Sequence, residues 1–257
     1  MRCRSCGLRF DLLHTTFWGF APGPPATPRQ ALIVFTVSFQ IAASLFLLWP
    51  VIAFVFGSLL GIARTTPLAP LRLAAATYVE LFRGVPLLVQ MFLWYFVVPE
   101  IVPRDWGRWL KRDLPDPEFW TAVAALGFYT ACRVAEQVRA GIQSISSGLL
   151  NAALASGLTL PRTYRYVLLP LSYRLLIPVF TSEFLTIFKN SSLALTIGAM
   201  ELTAQSRQIE SFTFHGFEAF TAATVLYVAI TLTVIFLMRA LETRLRIPGM
   251  LGERASR

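Results

Sequence analysis

The stretch AFTAATVLYVAITLTVIFLM, residues 219–238, contains twenty uncharged residues in succession. About 20 apolar residues cross the hydrocarbon core of a bilayer as an α-helix, so this stretch predicts a transmembrane helix. The whole chain agrees, because 55% of its 257 residues are hydrophobic and 14% are charged. An ordinary soluble domain has about 25% charged residues. We therefore expect an all-α integral membrane protein.

Four further apolar segments bring the expected number of transmembrane helices to about five. They lie between Arg29 and Arg64, from about Glu80 to Pro99, from Phe119 to Cys132, and from about Leu171 to Phe188. Gly57 and Gly61 lie four residues apart in the first segment. Small residues at this spacing either let a second helix approach closely or face lipid, and the sequence leaves both interpretations open.

The charges predict an orientation for these helices. The chain has 23 Lys and Arg against 14 Asp and Glu, a formal net charge of +9. Nucleic acid is not the expected partner, because the basic residues flank apolar runs and positive charges collect on the cytoplasmic side of membrane proteins. With five spans, a periplasmic N-terminus and a cytoplasmic C-terminus place the positive excess on the cytoplasmic side.

Two common kinds of site are excluded by residue type. The only lysines, Lys111 and Lys189, do not follow glycine or precede Ser/Thr, so the chain lacks a phosphate-binding P-loop and is not expected to be an ATPase or to bind a cofactor. Cys3 and Cys6 supply at most two of the four ligands of a structural zinc, so we expect no metal. No cleavable signal peptide is predicted in residues 1–29, which have no apolar core of the right length, and we expect residues 1–30 to be disordered or a misassigned start.

A segment between the third and fourth spans has a different character. It reads NAALASGLTLPRTYRYVLLP, residues 151–170. Asn151 is a suitable cap for a short helix, and Gly157 is suited to end that helix in a left-handed conformation. Pro161 suits the first turn of a second short helix, and Pro170 is expected to separate it from the fourth span. Two short helices at a glycine elbow predict a surface for a partner protein.

This segment resembles the coupling loop of type I ABC importer permeases, whose pattern is roughly E-A-A-x-x-x-G followed by I/V-x-L-P. The matching residues are Asn151, Ala152, Ala153, Gly157, Val167, Leu169 and Pro170. Asn151 replaces the usual Glu, which removes a charged contact, and Leu149 stands where the family usually has Gln. The resemblance assigns these residues, with Pro161, to an ATPase-coupling loop.

Three further segments are similar to the polar amino-acid branch of this family. They are YVELFRGVPLLVQMFLWYFVVP (78–99), AEQVRAGIQSI (135–145) and TSEFLTIFKNSSLALTIG (181–198). The chain resembles glutamate/aspartate import permeases most within that branch. The resemblance implies a transmembrane domain over 31–248, followed by a basic cytoplasmic tail over 249–257.

The resemblance also implies partners and a mechanism. The cytoplasmic two-helix loop docks on a dimer of ATP-binding subunits that carries ATP and Mg, and a periplasmic binding protein delivers the amino acid. Closure of the ATPase dimer then switches the membrane bundle between inward-facing and outward-facing states. No internal repeat is evident, so a second and related permease chain is expected to complete the bundle in the bacterial inner membrane.

Five charged residues are candidates for particular roles. Glu136 and Arg139 form an i,i+3 pair that the resemblance places at the loop, where it orients the loop. Arg83 and Lys189 can attract an anionic substrate, although Arg83 can equally pair with Glu80 and Lys189 can extend toward the interface. Glu183 lies within an apolar span, and we interpret it as a structural partner of a neighbouring arginine.

Other classes of protein remain as alternatives. An ion-coupled secondary transporter needs ionisable residues near the bilayer midplane, and Glu183 is the one candidate that the spans offer. A membrane enzyme needs a nucleophile with its base, and a scaffold subunit needs no pathway at all. The sequence leaves open which polar amino acid is carried and whether the partner permease is identical or different.

Overall fold

Every regular element in the computed structural model of the protein is helical, across residues 51–245, which are the residues that it describes. The expected all-α class is therefore confirmed. The predictions for residues 1–30, for most of the first span and for the tail 249–257 lie outside the described residues.

Nine helices follow one another along residues 51–245. They are α1 (Val51–Thr65), α2 (Ala69–Gly84), α3 (Leu87–Ile101), α4 (104–113), α5 (Pro117–Gln143), α6 (Ser147–Ala155), α7 (Leu160–Ile197), α8 (Leu202–Thr213) and α9 (Gly216–Leu245). Short π-helical turns interrupt α3, α4 and α7, and a 3-10 segment ends α7. Helix α5 lies at the centre, because α1, α2, α3 and α7 all pack against it.

The helices account for the predicted spans in different ways. Within the described range, α7 and α9 are each long and apolar enough to cross a membrane, and α2 and α3 together pass the same test as one broken span. Helix α1 is a shorter apolar helix that begins where the described residues begin. Helix α5 has 27 residues and contains the predicted third span, 119–132.

The second span is not the single helix predicted from Glu80 to Pro99, because α2 and α3 meet at an angle of 103°. Pro86 lacks a backbone N–H and disfavours helical geometry in the preceding residue. Val85 is accordingly extended, with φ −106° and ψ 127°. The Gln90 amide donates hydrogen bonds to the carbonyls of Phe82 (2.7 Å) and Val85 (2.9 Å). The break is thus stabilised by a side chain of the next helix.

Helix α1 packs closely on α5 through its two glycines. A Cβ atom added at Gly57 would lie 2.6 Å from the Ala131 carbonyl oxygen, and one added at Gly61 would lie 2.7 Å from the Ala135 oxygen. Such distances leave no room for any side chain. Of the two interpretations, close helix approach is therefore confirmed.

An ion pair joins the middle of α5 to the middle of α7. Arg133 Nε lies 2.7 Å from Glu183 Oε1, and the Gln137 amide donates to Glu183 Oε2 over 2.8 Å. Glu183 is only 2% exposed, so its charge needs these partners. The interpretation of Glu183 as a structural partner of an arginine is confirmed.

Candidate coupling site

The first helix of the 151–170 segment begins earlier than predicted. Ser146 is extended and precedes α6, which starts at Ser147. Asn151 therefore lies in the middle of the helix, and its predicted role as a cap is wrong. The physical reason is that Leu149 and Leu150, like the alanines after them, are good helix formers and extend the helix toward its N-terminus.

Gly157 ends this helix in the left-handed conformation that was predicted, with φ +84°. Its N–H bonds the Leu154 carbonyl over 3.0 Å, and the N–H of Leu158 bonds the Ala153 carbonyl over 3.3 Å. These two bonds form a Schellman motif, the usual helix stop built on glycine. Among the described residues, nothing lies within 4 Å of the position that a Cβ would take. Backbone torsion, and not lack of space, therefore calls for glycine here.

The second helix of the segment runs into the membrane without a break. Pro161 lies in the first turn of α7, as predicted. Pro170 does not separate the loop from the fourth span, so that prediction is wrong. A π-helical turn over Tyr164–Leu168 precedes the proline, and the Leu169 N–H bonds the carbonyl of Tyr164, five residues back. This wider turn accommodates the proline, which cannot donate a helical hydrogen bond.

One hydrogen bond ties the loop to α1. The Tyr164 hydroxyl donates to the Thr65 carbonyl oxygen over 2.8 Å, and the Tyr164 ring packs on the core cluster of Val134, Val138, Ile142 and Leu176. Tyr164 was not among the predicted site residues. Its partner lies 99 residues away, so no local spacing could have indicated the contact.

The loop residues assigned by the family resemblance differ in their exposure to solvent. Of these residues, Ala153 is buried, and Val167 and Leu169 are half-buried. The exposed ones are Asn151, Ala152, Gly157, Pro161 and Pro170. Three large apolar side chains on α6 and α7 are also exposed, namely Leu149 (37%), Leu154 (40%) and Tyr166 (63%). The exposed residues form a small surface around the Gly157 elbow that also includes Arg162 and Arg165, and we call it the coupling surface.

The predicted pair beside the loop belongs to a larger cluster. Arg139 Nη2 lies 2.8 Å from Glu136 Oε2, which confirms that these two residues pair. Arg64 of α1 contacts the other oxygen of Glu136 and lies 3.9 Å from Glu80. Burial favours a raised pKa for Glu136, but Arg139 and Arg64 outweigh it and hold this pKa below its ordinary value.

Lys189, near the opposite end of α7 from the loop, lines a cavity of about 480 Å³. The other lining residues are Ser192, Thr203, Thr224, Tyr227, Val228, Thr231 and Leu232. No ion pair within residues 51–245 involves Lys189. Arg83 does not line this cavity, so the two predicted cations do not meet there.

One wall of this cavity is held by a buried carboxylate. Glu201 is 1% exposed and accepts hydrogen bonds from the N–H groups of Thr203 and Ala204 at the start of α8. The Tyr227 hydroxyl of α9 also donates to Glu201, over 3.0 Å. Glu201 thereby fixes α8 against α9 behind the cavity. Glu201 was not among the predicted site residues.

The chain is similar to several characterised transport proteins. It is 46% identical over 217 residues to the glutamate/aspartate import permease protein GltJ of Escherichia coli (strain K12), covering 83% of this chain and 88% of GltJ. It is 34% identical over 193 residues to the glutamine transport system permease protein GlnP of the same strain, covering 75% and 84% of the two chains. A crystal structure of an amino acid ABC transporter with histidines has a TM-score of 0.72 at 29% identity, covering 84% and 96%.

The match to a protein family covers most of the described structure. Residues 53–247 match the binding-protein-dependent transport system inner membrane component family, so the match includes the coupling surface and both ends of α7. This match and the relatives support an ABC importer permease and give no support to an ion-coupled secondary transporter. The chain belongs to the family of binding-protein-dependent transport system inner membrane components, and it is a multi-pass membrane permease subunit of an ATP-driven importer.

Proposed function

We propose that this permease imports acidic amino acids, glutamate and aspartate, and that residues 151–170 couple transport to ATP hydrolysis by a separate dimer of ATP-binding subunits. The observation that carries the proposal is the continuity of α7, which has 38 residues. At about 1.5 Å per residue such a helix is roughly 57 Å long. It holds coupling residues at one end and Lys189 near the other.

A continuous helix can transmit displacement as a rigid body. A push on the coupling surface reaches α7 through the Gly157 elbow and reaches α1 through the Tyr164–Thr65 hydrogen bond. The Arg133–Glu183 pair carries the same motion to α5. Movement of the loop therefore changes the position of α7 relative to α1 and α5. Glu136 and Arg139 set the direction in which the loop leaves α5.

The cavity at Lys189 suits an anionic amino acid. The lysine supplies a positive charge for a carboxylate, in a lining that also contains the hydroxyl groups of Ser192, Thr224 and Thr231. The similarity to the glutamate/aspartate permease of Escherichia coli supports the same substrate class. Arg83 remains a second candidate for contact with the substrate, at the α2–α3 bend.

We infer the remaining components from the family to which the chain belongs. ATP and Mg bind to the ATPase subunits, and this chain itself acts as a transport subunit without catalytic residues. A periplasmic binding protein and a second, related permease complete the importer. The N-terminus lies in the periplasm, and the coupling loop and the C-terminus lie in the cytoplasm.

The test is uptake by the complete complex in proteoliposomes with ATP sealed inside. We expect ATP-dependent uptake of labelled glutamate when the binding protein is present. Lys189→Gln should raise the glutamate concentration for half-maximal uptake about tenfold, the effect of about 1.4 kcal/mol. Lys111→Gln is the matched control, since Lys111 pairs with Glu100 away from the cavity and should transport normally. Uptake that follows an ion gradient without ATP contradicts the proposal.

A further inference from the structure

A second cavity lies where the C-terminal ends of α1 and α5 meet the beginning of α2. Its volume is about 450 Å³. It is lined by Arg64, Ala69, Arg72, Leu73, Ala76, Arg139 and Gln143. All the charged residues in this lining are arginines, and they come from three different helices. We call it the arginine cavity.

The arginine cavity keeps an excess of positive charge. Glu136 contacts both Arg64 and Arg139 and compensates one of the three guanidinium groups. Glu80 lies 3.9 Å from Arg64 and is largely exposed, so it compensates one more at most. Arg72 takes part in none of the ion pairs found within residues 51–245. At least one guanidinium group therefore remains available to an anion.

The surroundings of the cavity are apolar. Leu68, Leu71 and Leu73 are 60%, 48% and 69% exposed on the segment that begins α2. Arginines at the level of the headgroups, beside leucines that point outward, match the two parts of a phospholipid. Guanidinium groups bind phosphate strongly, and basic pockets between transmembrane helices on the cytoplasmic side bind anionic headgroups.

We propose that the arginine cavity binds the phosphate group of an anionic phospholipid, with its acyl chains along the exposed leucines of α2. The proposal rests on the proposed function only in placing this end of the bundle at the cytoplasmic leaflet. A bound lipid would hold α1, α2 and α5 together beside the coupling surface, since Arg64 and Arg139 share Glu136 and the neighbouring Thr65 accepts the hydrogen bond from Tyr164.

The experiment is native mass spectrometry of the purified complete complex after incubation with phosphatidylglycerol or with phosphatidylcholine. We expect the wild type to retain phosphatidylglycerol in preference to phosphatidylcholine. Arg72→Gln should lower the retained phosphatidylglycerol about fivefold, and Arg72→Lys should restore part of it. Arg72 is suited to this test because losing it breaks none of the ion pairs within residues 51–245. Arg108→Gln removes an equal charge outside the cavity and should leave retention unchanged.

Three results would overturn the proposal. Equal retention by the wild type and Arg72→Gln means that the lipid binds elsewhere. Binding of inorganic phosphate to the complex in phosphatidylcholine nanodiscs, without any preference for phosphatidylglycerol, means that the cavity takes a free anion. A cross-link from Arg72→Cys to another subunit, with no lipid retained, means that a protein covers it. Lipid retention needs neither ATP nor amino acid. The lipid proposal can therefore fail while ATP-driven uptake succeeds, and lipid can be retained while ATP-driven uptake fails.

Discussion

At the scale of single residues, the left-handed backbone of Gly157 gives the sharpest test of the coupling loop. Residues with a Cβ occupy that region at a cost of about 1–2 kcal/mol, and β-branched residues are worst suited to it. We expect Gly157→Val to remain in the membrane, because no neighbour within residues 51–245 lies close enough to the Cβ position to clash. Uptake should fall tenfold or more while ATP hydrolysis continues, measured together in proteoliposomes.

Gly157→Asn is the control for this prediction, because asparagine tolerates left-handed geometry better than other residues with a Cβ. It should recover most of the uptake. Gly148→Ala, in the open first turn of α6, should behave as the wild type. Normal uptake by Gly157→Val would show that the elbow has no part in coupling.

The Arg133–Glu183 pair is a second prediction at this scale. Removing one partner of a buried pair leaves an uncompensated charge and costs about 3–5 kcal/mol in well-buried cases. Arg133 is 40% exposed in its side chain, so we expect Glu183→Ala to cost less, about 2 kcal/mol. Thermal unfolding of the purified protein in detergent measures the loss. Arg133→Met with Glu183→Leu should recover most of it, and a double variant less stable than the single one would contradict the structural role.

At the scale of helices, the contact between α1 and α5 depends on glycine. A methyl group at position 57 would meet the Ala131 carbonyl oxygen and the Val134 side chain at 2.6 and 2.7 Å. Overpacking of this kind typically costs about 1–3 kcal/mol. Gly57→Ala should therefore lower the unfolding temperature in detergent. Gly84→Ala should not, because no atom of the described part of the chain lies within 4 Å of its Cβ position. Equal stability of the two variants would show that α1 readily moves away from α5.

Two prolines show where sequence reasoning about helices succeeds and fails. A break was predicted at Pro170 and none at Pro86, and the structure has the reverse. A proline removes one hydrogen bond, but the outcome depends on how the freed carbonyls are satisfied. Gln90 satisfies them at the α2–α3 bend, and a π-turn accommodates Pro170 within α7. Gly84, just before Pro86, was a local signal of the break.

In the candidate site, the contacts between residues close in sequence could be predicted, and the contacts between distant residues could not. The conformation of Gly157 and the pairing of Glu136 with Arg139 follow from spacings of a few residues, so the sequence predicted both. Arg64 lies 72 residues from Glu136, and Thr65 lies 99 residues from Tyr164. Such contacts depend on how helices pack, which hydrophobic periodicity does not specify.

At the scale of the whole molecule, the two ends of the bundle have different chemistry. One end carries the coupling surface, the cluster of Arg64, Glu136 and Arg139, and the arginine cavity. Lys189 and its cavity of hydroxyl groups lie near the far end of α7. Because α7 joins the two ends, the proposed coupling site and the proposed substrate cavity lie on one element.

This arrangement requires that the two ends face opposite sides of the membrane, which cysteine labelling can test. Helix α5 runs from Pro117 to Gln143, so the exposed residues Pro115 and Ser156 precede and follow one crossing. Introduced singly, with the native cysteines replaced, Pro115→Cys should react with an impermeant maleimide in cells whose outer membrane alone is opened. Ser156→Cys should react only after the inner membrane is permeabilised. Positive residues collect on the cytoplasmic side, and the arginines near the loop predict this result. Labelling of Ser156→Cys from the periplasm would separate the coupling surface from any cytoplasmic ATPase, and α7 could then not transmit ATP-driven motion.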